Sequence, residues 1–213
     1  MLTVKQFTYN PIQENTYVVY NDEGECVIVD PGCYFPAERS ELKAFINENG
    51  LIPKYLLNTH CHLDHVFGNK FVFETWDLEL YMNELEKPVL DYAPVSGKSW
   101  GIPFDNYTGP LHWLKAGDEI LLGKDRLVVL FTPGHSPGHV SFYSKADEFV
   151  LSGDVLFQRS IGRTDLPGGD FDTLINSIRS QLFTLPDNTK VYSGHGEPTF
   201  IGVEKRENPF LKG

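Results

Sequence analysis

Between Thr59 and Asn69 the chain reads THCHLDHVFGN, and four side chains able to hold a metal ion, His60, His62, Asp64 and His65, fall within six positions. The whole chain has 7 histidines, so three of them in one short stretch is a concentration that asks for a chemical reason. Imidazole nitrogen and carboxylate oxygen together suit Zn(II), Fe(II) and Mn(II). Cys61 stands in the cluster without a closely spaced partner cysteine. That argues against a closed structural zinc site and for a centre with open positions, hence for catalysis.

Three further residues share the placement of the cluster at the C-terminal end of an apolar run: His135 in TPGHS, Asp154 in LSGDV and His195 in YSGHG. Ligand sites of α/β proteins collect outside the carboxyl ends of strands, where separate loops converge. Any one of these residues alone would read as a hydrogen-bonded histidine or a turn aspartate. Together they offer seven ligands from four loops, enough for two metal ions. His139, four residues after His135, reads as a hydrogen-bonding neighbour of the site. His112 has no ligand-like companion nearby and reads as structural. For Asp30 in VDPG, a turn residue before Pro31 and a support for the site are equally open readings.

The elements that must carry these residues follow from periodicity. NTYVVY and ECVIVDPG flank NDEG, a hairpin pattern over Tyr17 to Asp30. In AERSELKAFINENG, Leu42, Phe45 and Ile46 recur at helical spacing, with Gly50 as a stop. KYLLNTH is a short buried strand, which places the histidine cluster on a strand-to-helix loop. A second cycle follows: strands in RLVVLFTPG, HVSFYS and EFVLSGD, then a helix in DFDTLINSIRSQLF. Asp170 would cap that helix, whose apolar face is Phe171, Leu174, Ile175, Ile178 and Leu182. KVYSGHG is one more strand, and TFIGVEKRENPFL a last helix ending near Pro209. Between the cycles, DYAPVSGKSWGIPFDNYTGP, rich in Pro, Gly and aromatics, predicts a long loop. We expect one α/β domain over residues 1–213.

Composition limits the partners. With 213 residues, 41% hydrophobic and 22% charged, the chain can bury a sizeable core. Its 18 Lys and Arg against 29 Asp and Glu leave a formal charge of −11, which repels phosphate backbones, so nucleic acid is not an expected partner. No signal-peptide pattern and no membrane-length apolar run occur, and Cys26, Cys33 and Cys61 are too few and scattered for a disulfide framework. Cys26 reads as a small core residue. A cytoplasmic protein with no membrane partner is expected, and its oligomeric state is not encoded legibly in one sequence.

The string His60-x-His62-x-Asp64-His65, followed in order by the TPGH, GD and terminal GH elements, resembles the metallo-β-lactamase superfamily, and within it the shorter bacterial type of glyoxalase II-like hydroxyacylglutathione hydrolase. The resemblance runs from NTYVV and VDPG to NPFL. It implies a four-layer αββα sandwich. It also implies a first metal on His60, His62 and His135, a second on Asp64, His65 and His195, and Asp154 bridging both. Family members vary among zinc, iron and manganese; zinc is the first expectation here.

Two divalent cations sharing one water would hold a hydroxide at neutral pH, able to attack a thioester carbonyl such as that of S-D-lactoylglutathione. Asp64 and Asp154 would then take part in catalysis as ligands, Asp64 being a poor proton acceptor once metal-held. In LFQRSIGRTDLPGGD, which also resembles the shorter type, Arg159 or Arg163 would pair with a substrate carboxylate; the alternative is a surface arginine held by Asp165 or Asp170. The GRTDLPGGD pattern resembles mononuclear-iron persulfide dioxygenases too, in which His60 or His62, His135 and Asp154 would suffice. A non-catalytic, metal-stabilised binding protein is the alternative from another class.

Overall fold

In LTVKQFTY, residues alternate between buried and open environments, the period-2 signature of a strand with one face on a core. This is β1 (Leu2–Tyr9), and the computed structural model, which describes residues 1–212, builds from it. The chain clusters into two units: Met1–Leu114 with Leu121–Arg126, and Lys115–Ile120 with the residues from Leu127 on.

The first unit holds a six-stranded sheet in the order β1, β2 (Glu14–Asn21), β3 (Glu25–Val29), β4 (Ile52–Leu57), β5 (Leu80–Met82) and β6 (Leu111–Trp113). The pairs β1–β2 and β2–β3 are antiparallel, whereas β3 to β6 run parallel. The predicted hairpin is β2–β3, closed where Asn21 Oδ1 accepts the amides of Glu23 and Glu25 and Gly24 takes φ +82.

Parallel strands need crossovers. These are α1 (Pro36–Glu48), the short α2 (Leu63–Val66) with α3 (Asn69–Trp76), and α4 (Lys87–Ser99). Ile28, Leu56, Leu80 and Met82 of the sheet form one core with Leu42 and Ile46 of α1, Val72 of α3 and Leu90 of α4.

Helix α4 corrects an expectation. The predicted loop beginning at Asp91 is helical as far as Ser99, with Pro94 inside the helix. Proline lacks the amide that should bond back to Leu90, four residues earlier. Asn106 Nδ2 donates to that Leu90 carbonyl at 2.7 Å in its place. Leu90, Ala93 and Gly97 face inward at helical spacing, so burial of that stripe outweighs the Pro and Gly signals.

Most of another six-stranded sheet belongs to the second unit. Its strands are β7 (Glu119–Leu122), β8 (Asp125–Phe131), β9 (Val140–Ser144), β10 (Phe149–Gly153), β13 (Lys190–Ser193) and β14 (Thr199–Phe200), in the order β14-β13-β10-β9-β8-β7. A small hairpin, β11 (Leu156–Phe157) with β12 (Ser160–Ile161), follows β10. The parallel step from β10 to β13 contains α5 (Phe171–Ser177), and α6 (Ile201–Glu207) follows β14.

Asp170 caps α5 as predicted, accepting Thr173 N–H at 2.8 Å. Leu174, Ile178 and Leu182 are buried, but Phe171, placed on the same face by periodicity, is 50% exposed in the first turn. The rest of the predicted helix, Ile178–Leu182, winds as a wider π turn, in which Phe183 N–H reaches back to Ile178 O. Among the described residues no helix is long and apolar enough to cross a membrane.

Candidate metal centre

In the first unit the ladder ends with Asn58 N–H donating to Tyr81 O, and beyond it the backbone leaves the sheet. Side chains take over. Asp30, at the end of β3 with φ +48, accepts Thr59 N–H at 2.7 Å and Asn58 Nδ2–H at 3.2 Å on Oδ1. Its Oδ2 faces His65 Nδ1 at 3.1 Å and accepts the Thr59 hydroxyl. That hydroxyl also lies 3.1 Å from His60 Nδ1.

A hydroxyl has one proton. With that proton on the carboxylate, Thr59 Oγ1 accepts Nδ1–H of His60. Asp30 thus fixes two imidazoles, His65 directly and His60 through Thr59, and leaves the lone pair of each on Nε2. Of the two readings open for Asp30, support of the site is the one the hydrogen bonds favour. The rings of His60 and His65 stand 4.1 Å apart between centroids, and those of His60 and His62 4.8 Å. His65 Nε2 lies 3.6 Å from Asp64 Oδ2.

Buried amides hold this loop from beneath. Asn58 Nδ2 also donates to His65 O, and Asn69 Nδ2 donates to Asn58 Oδ1 at 2.7 Å. Asn10 Nδ2 donates to Gly32 O and Asp64 O. Glu14 is fully buried with Oε1 3.8 Å from His65 Nδ1, and burial pushes its carboxyl well above the ordinary range. Gly32 has no alternative here: a Cβ would lie 2.0 Å from Glu14 Oε2 and 2.6 Å from Asp64 O.

The second unit repeats the logic with different groups. His135 Nδ1 donates to the Arg163 carbonyl at 2.7 Å, turning the Nε2 lone pair toward Asp154 Oδ2, 3.5 Å away. His195 Nε2 lies 3.6 Å from the same Asp154 oxygen. Asp154 N–H donates to His139 Nε2 at 3.1 Å, while His139 Nδ1 meets Thr132 Oγ1 at 3.1 Å. His139 therefore sets the Asp154 backbone, in keeping with the hydrogen-bonding role expected of it.

Both arginines of the segment after β11 pair with carboxylates of the chain, Arg163 with the Asp165 that the alternative reading named. The Arg159 guanidinium pairs with Glu207 at 2.7 Å, and Arg163 makes a two-pronged pair with Asp165, both bonds 2.7 Å. The Arg163 guanidinium holds the Asp165 carboxyl down to about 2. What this segment gives His135 is a main-chain carbonyl. Gly162 makes that approach feasible, since a Cβ there would sit 1.8 Å from Asp154 O and 3.2 Å from His135 Nδ1.

The donor set fits divalent metal. Two ligand atoms each about 2.1 Å from a shared ion, at a near-tetrahedral angle, stand about 3.4 Å apart. The pairs His65–Asp64, His135–Asp154 and His195–Asp154 lie at 3.6, 3.5 and 3.6 Å, too long for good hydrogen bonds and right for ligands of one ion.

Thus the first unit gathers His60, His62, Asp64 and His65, and the second gathers His135, Asp154 and His195. His112 is elsewhere, on β6, bonded to Glu79 and stacked on Tyr81. Asn10, Glu14 and Asn58 escape a sequence reading, because a polar residue destined for burial has no periodic signature; the pair Asn58-Thr59 directly before the cluster was the available hint.

Two mixed sheets with helices, each bearing imidazole and carboxylate groups set for divalent metal, define an α/β metal-binding protein. The sequence profile of the metallo-beta-lactamase superfamily matches residues 9–195, and the chain belongs to that superfamily. It is 43% identical to the "Probable metallo-hydrolase YqgX" of Bacillus subtilis, over 98% of this chain and 97% of that one. It is 40% identical to the "Hydroxyacylglutathione hydrolase GloC" of Haemophilus influenzae, over 93% of each.

Among solved structures, the BLEG-1 B3 metallo-beta-lactamase superposes with a TM-score of 0.88 at 40% identity, over 99% of this chain and 100% of that one. TTHA1623 in a di-iron-bound form gives 0.88 at 41%, over 98% and 100%. The fold is the metallo-β-lactamase fold, as the resemblance implied, and the chain is a metallo-hydrolase of that superfamily.

Proposed function

We propose that the chain hydrolyses a small thioester of the S-D-lactoylglutathione kind, using two divalent ions, zinc first and iron or manganese as alternatives. The assignment gives His60, His62 and His135 to one ion and Asp64, His65 and His195 to the other, with Asp154 serving both. The observation that carries it is the fixing of three imidazoles through Nδ1, His60 by Thr59, His65 by Asp30 and His135 by Arg163 O, which leaves each Nε2 as the donor atom. The likeness to GloC supports the substrate class, and the di-iron form of TTHA1623 supports two ions.

When bound, two such ions lower the pKa of a shared water and polarise the carbonyl it attacks. The chain's own part is to aim Nε2 of His60, His65 and His135 and to place Asp64 and Asp154 beside them. Arg163, half-exposed and paired with exposed Asp165, is the cation we assign to a substrate carboxylate.

Turnover of S-D-lactoylglutathione by metal-quantified protein, with His62→Ala alongside, tests the reading. Two ions per chain and an activity lost in the variant support it. One iron per chain with sulfite release from glutathione persulfide would assign the dioxygenase instead. The likeness to BLEG-1 makes β-lactam hydrolysis the second reading, and turnover of a chromogenic cephalosporin without thioester cleavage would establish it. Metal binding without any turnover would mean a binding protein.

A further inference from the structure

His60 and His62 flank Cys61, whose place in the loop is set from a part of the chain the metal motif does not include. Cys61 is fully buried, its Sγ 3.3 Å from Met82 Sδ at the end of β5. Its backbone N–H donates to Glu86 Oε2 at 2.8 Å. Glu86 is itself fully buried, in a single 3-10 turn, Glu84–Glu86, that leads into α4.

That turn is rigidly held. Asn83 Oδ1 accepts Leu85 N–H, Asn83 Nδ2 donates to Leu114 O, and Glu86 N–H donates to Asn83 O. The arrangement mirrors Asp30 on the other flank: Asp30 takes the amide of Thr59 and Glu86 the amide of Cys61, so two carboxylates bracket His60 on alternate amides. A buried amide needs an acceptor, and one supplied by a side chain on a braced turn limits the freedom of the peptide between two ligands.

We propose that Glu86 is a positioning residue of the metal loop: by accepting Cys61 N–H it holds His60 and His62 at the spacing one ion requires. This rests on the reading of those histidines as ligands. Glu86 is not one of the proposed ligands, and it reaches them through the Cys61 backbone amide. A glutamine amide oxygen can accept the same bond, whereas alanine removes the acceptor.

The test is Co(II) binding to the full chain, read as affinity and as the visible absorption of the loaded protein. Glu86→Gln is expected to keep the wild-type affinity and spectrum. Glu86→Ala is expected to bind one of its ions at least about tenfold more weakly, with an altered spectrum, as outer supports of metal ligands do. Leu42→Ala, a core truncation in the same unit, is expected to lower the melting temperature and leave the spectrum unchanged.

Wild-type behaviour of Glu86→Ala, or equal loss in Glu86→Gln, overturns the proposal while the metal assignment stands. Failure of the unaltered protein to bind Co(II) overturns both. Should Glu86→Ala not fold, hydrogen exchange of the Cys61 amide in the unaltered protein decides: slow exchange supports the anchor, and exchange at the rate of an exposed loop removes it.

Discussion

His135 Nδ1 donates to the main-chain carbonyl of Arg163, 28 positions later, at 2.7 Å. The bond fixes which nitrogen of the ring carries the proton, and so which one would serve the proposed metal. It also explains why the residue before Arg163 is glycine: the carbonyl reaches the ring only because residue 162 has no side chain to strike Asp154 O.

Gly162→Ala is therefore expected to displace the 162–163 peptide or the Asp154 backbone. Overpacking of this kind costs about 1–3 kcal/mol, and metal affinity should fall with it. Urea unfolding and metal titration check both. A variant as stable as the parent and binding metal as tightly would contradict the contact.

Asp30→Asn changes a carboxylate that accepts from His65 Nδ1–H and the Thr59 hydroxyl. An amide nitrogen facing those two groups would donate instead. His65 would then have to present Nδ1 as an acceptor and carry its proton on Nε2, and Thr59 would turn its hydroxyl proton to His60 with the same result. Metal affinity is expected to fall about 10- to 100-fold, with far-UV circular dichroism unchanged. Competition against a graded series of chelators measures it.

Burial pushes the thiols of Cys26 and Cys33 up to about 12 from an ordinary value of 9.0. Each folded-state pKa is raised, so above pH 9 the unfolded chain loses these protons first. The stability they contribute is whole below pH 9 and declines as pH climbs toward 12, by about 1.4 kcal/mol per pH unit per thiol. Urea unfolding at pH 8 and pH 10 should show a smaller decline for Cys26→Ala than for the parent. Equal declines would refute the assignment. The same burial predicts that Cys26, Cys33 and Cys61 resist alkylation in the native protein and react once it unfolds.

Asn106→Ala would leave Leu90 O, inside α4, without the donor that replaces the missing Pro94 amide. A loss of about 1–3 kcal/mol is expected. Pro94→Ala in the same chain supplies a backbone amide and should recover much of it. A double-mutant cycle showing strict additivity would mean the two residues do not compensate each other.

Much of the architecture was legible because apolar periodicity survives in single segments. The hairpin through NDEG, the helix holding Leu42 and Ile46, and the Asp170 cap stand where their patterns put them. Helix α4 was hidden by Pro94 and Gly97, whose local signals are overridden by a stripe of buried residues and by Asn106. Phe171 shows the converse, a residue in phase with a buried face but beyond its edge.

What the sequence determined by itself was the class of chemistry: three histidines and an aspartate packed into one short stretch, with single histidines and an aspartate ending later strands, are groups suited to divalent metal whatever the chain does in space. Only the tertiary structure decided which atom of each ring bears the lone pair and what braces the loops. Those choices depend on Asp30, Glu86 and the Arg163 carbonyl. They are far away in sequence or are main-chain atoms without residue identity, and a hydrogen bond needs direction and distance that spacing along a chain does not encode.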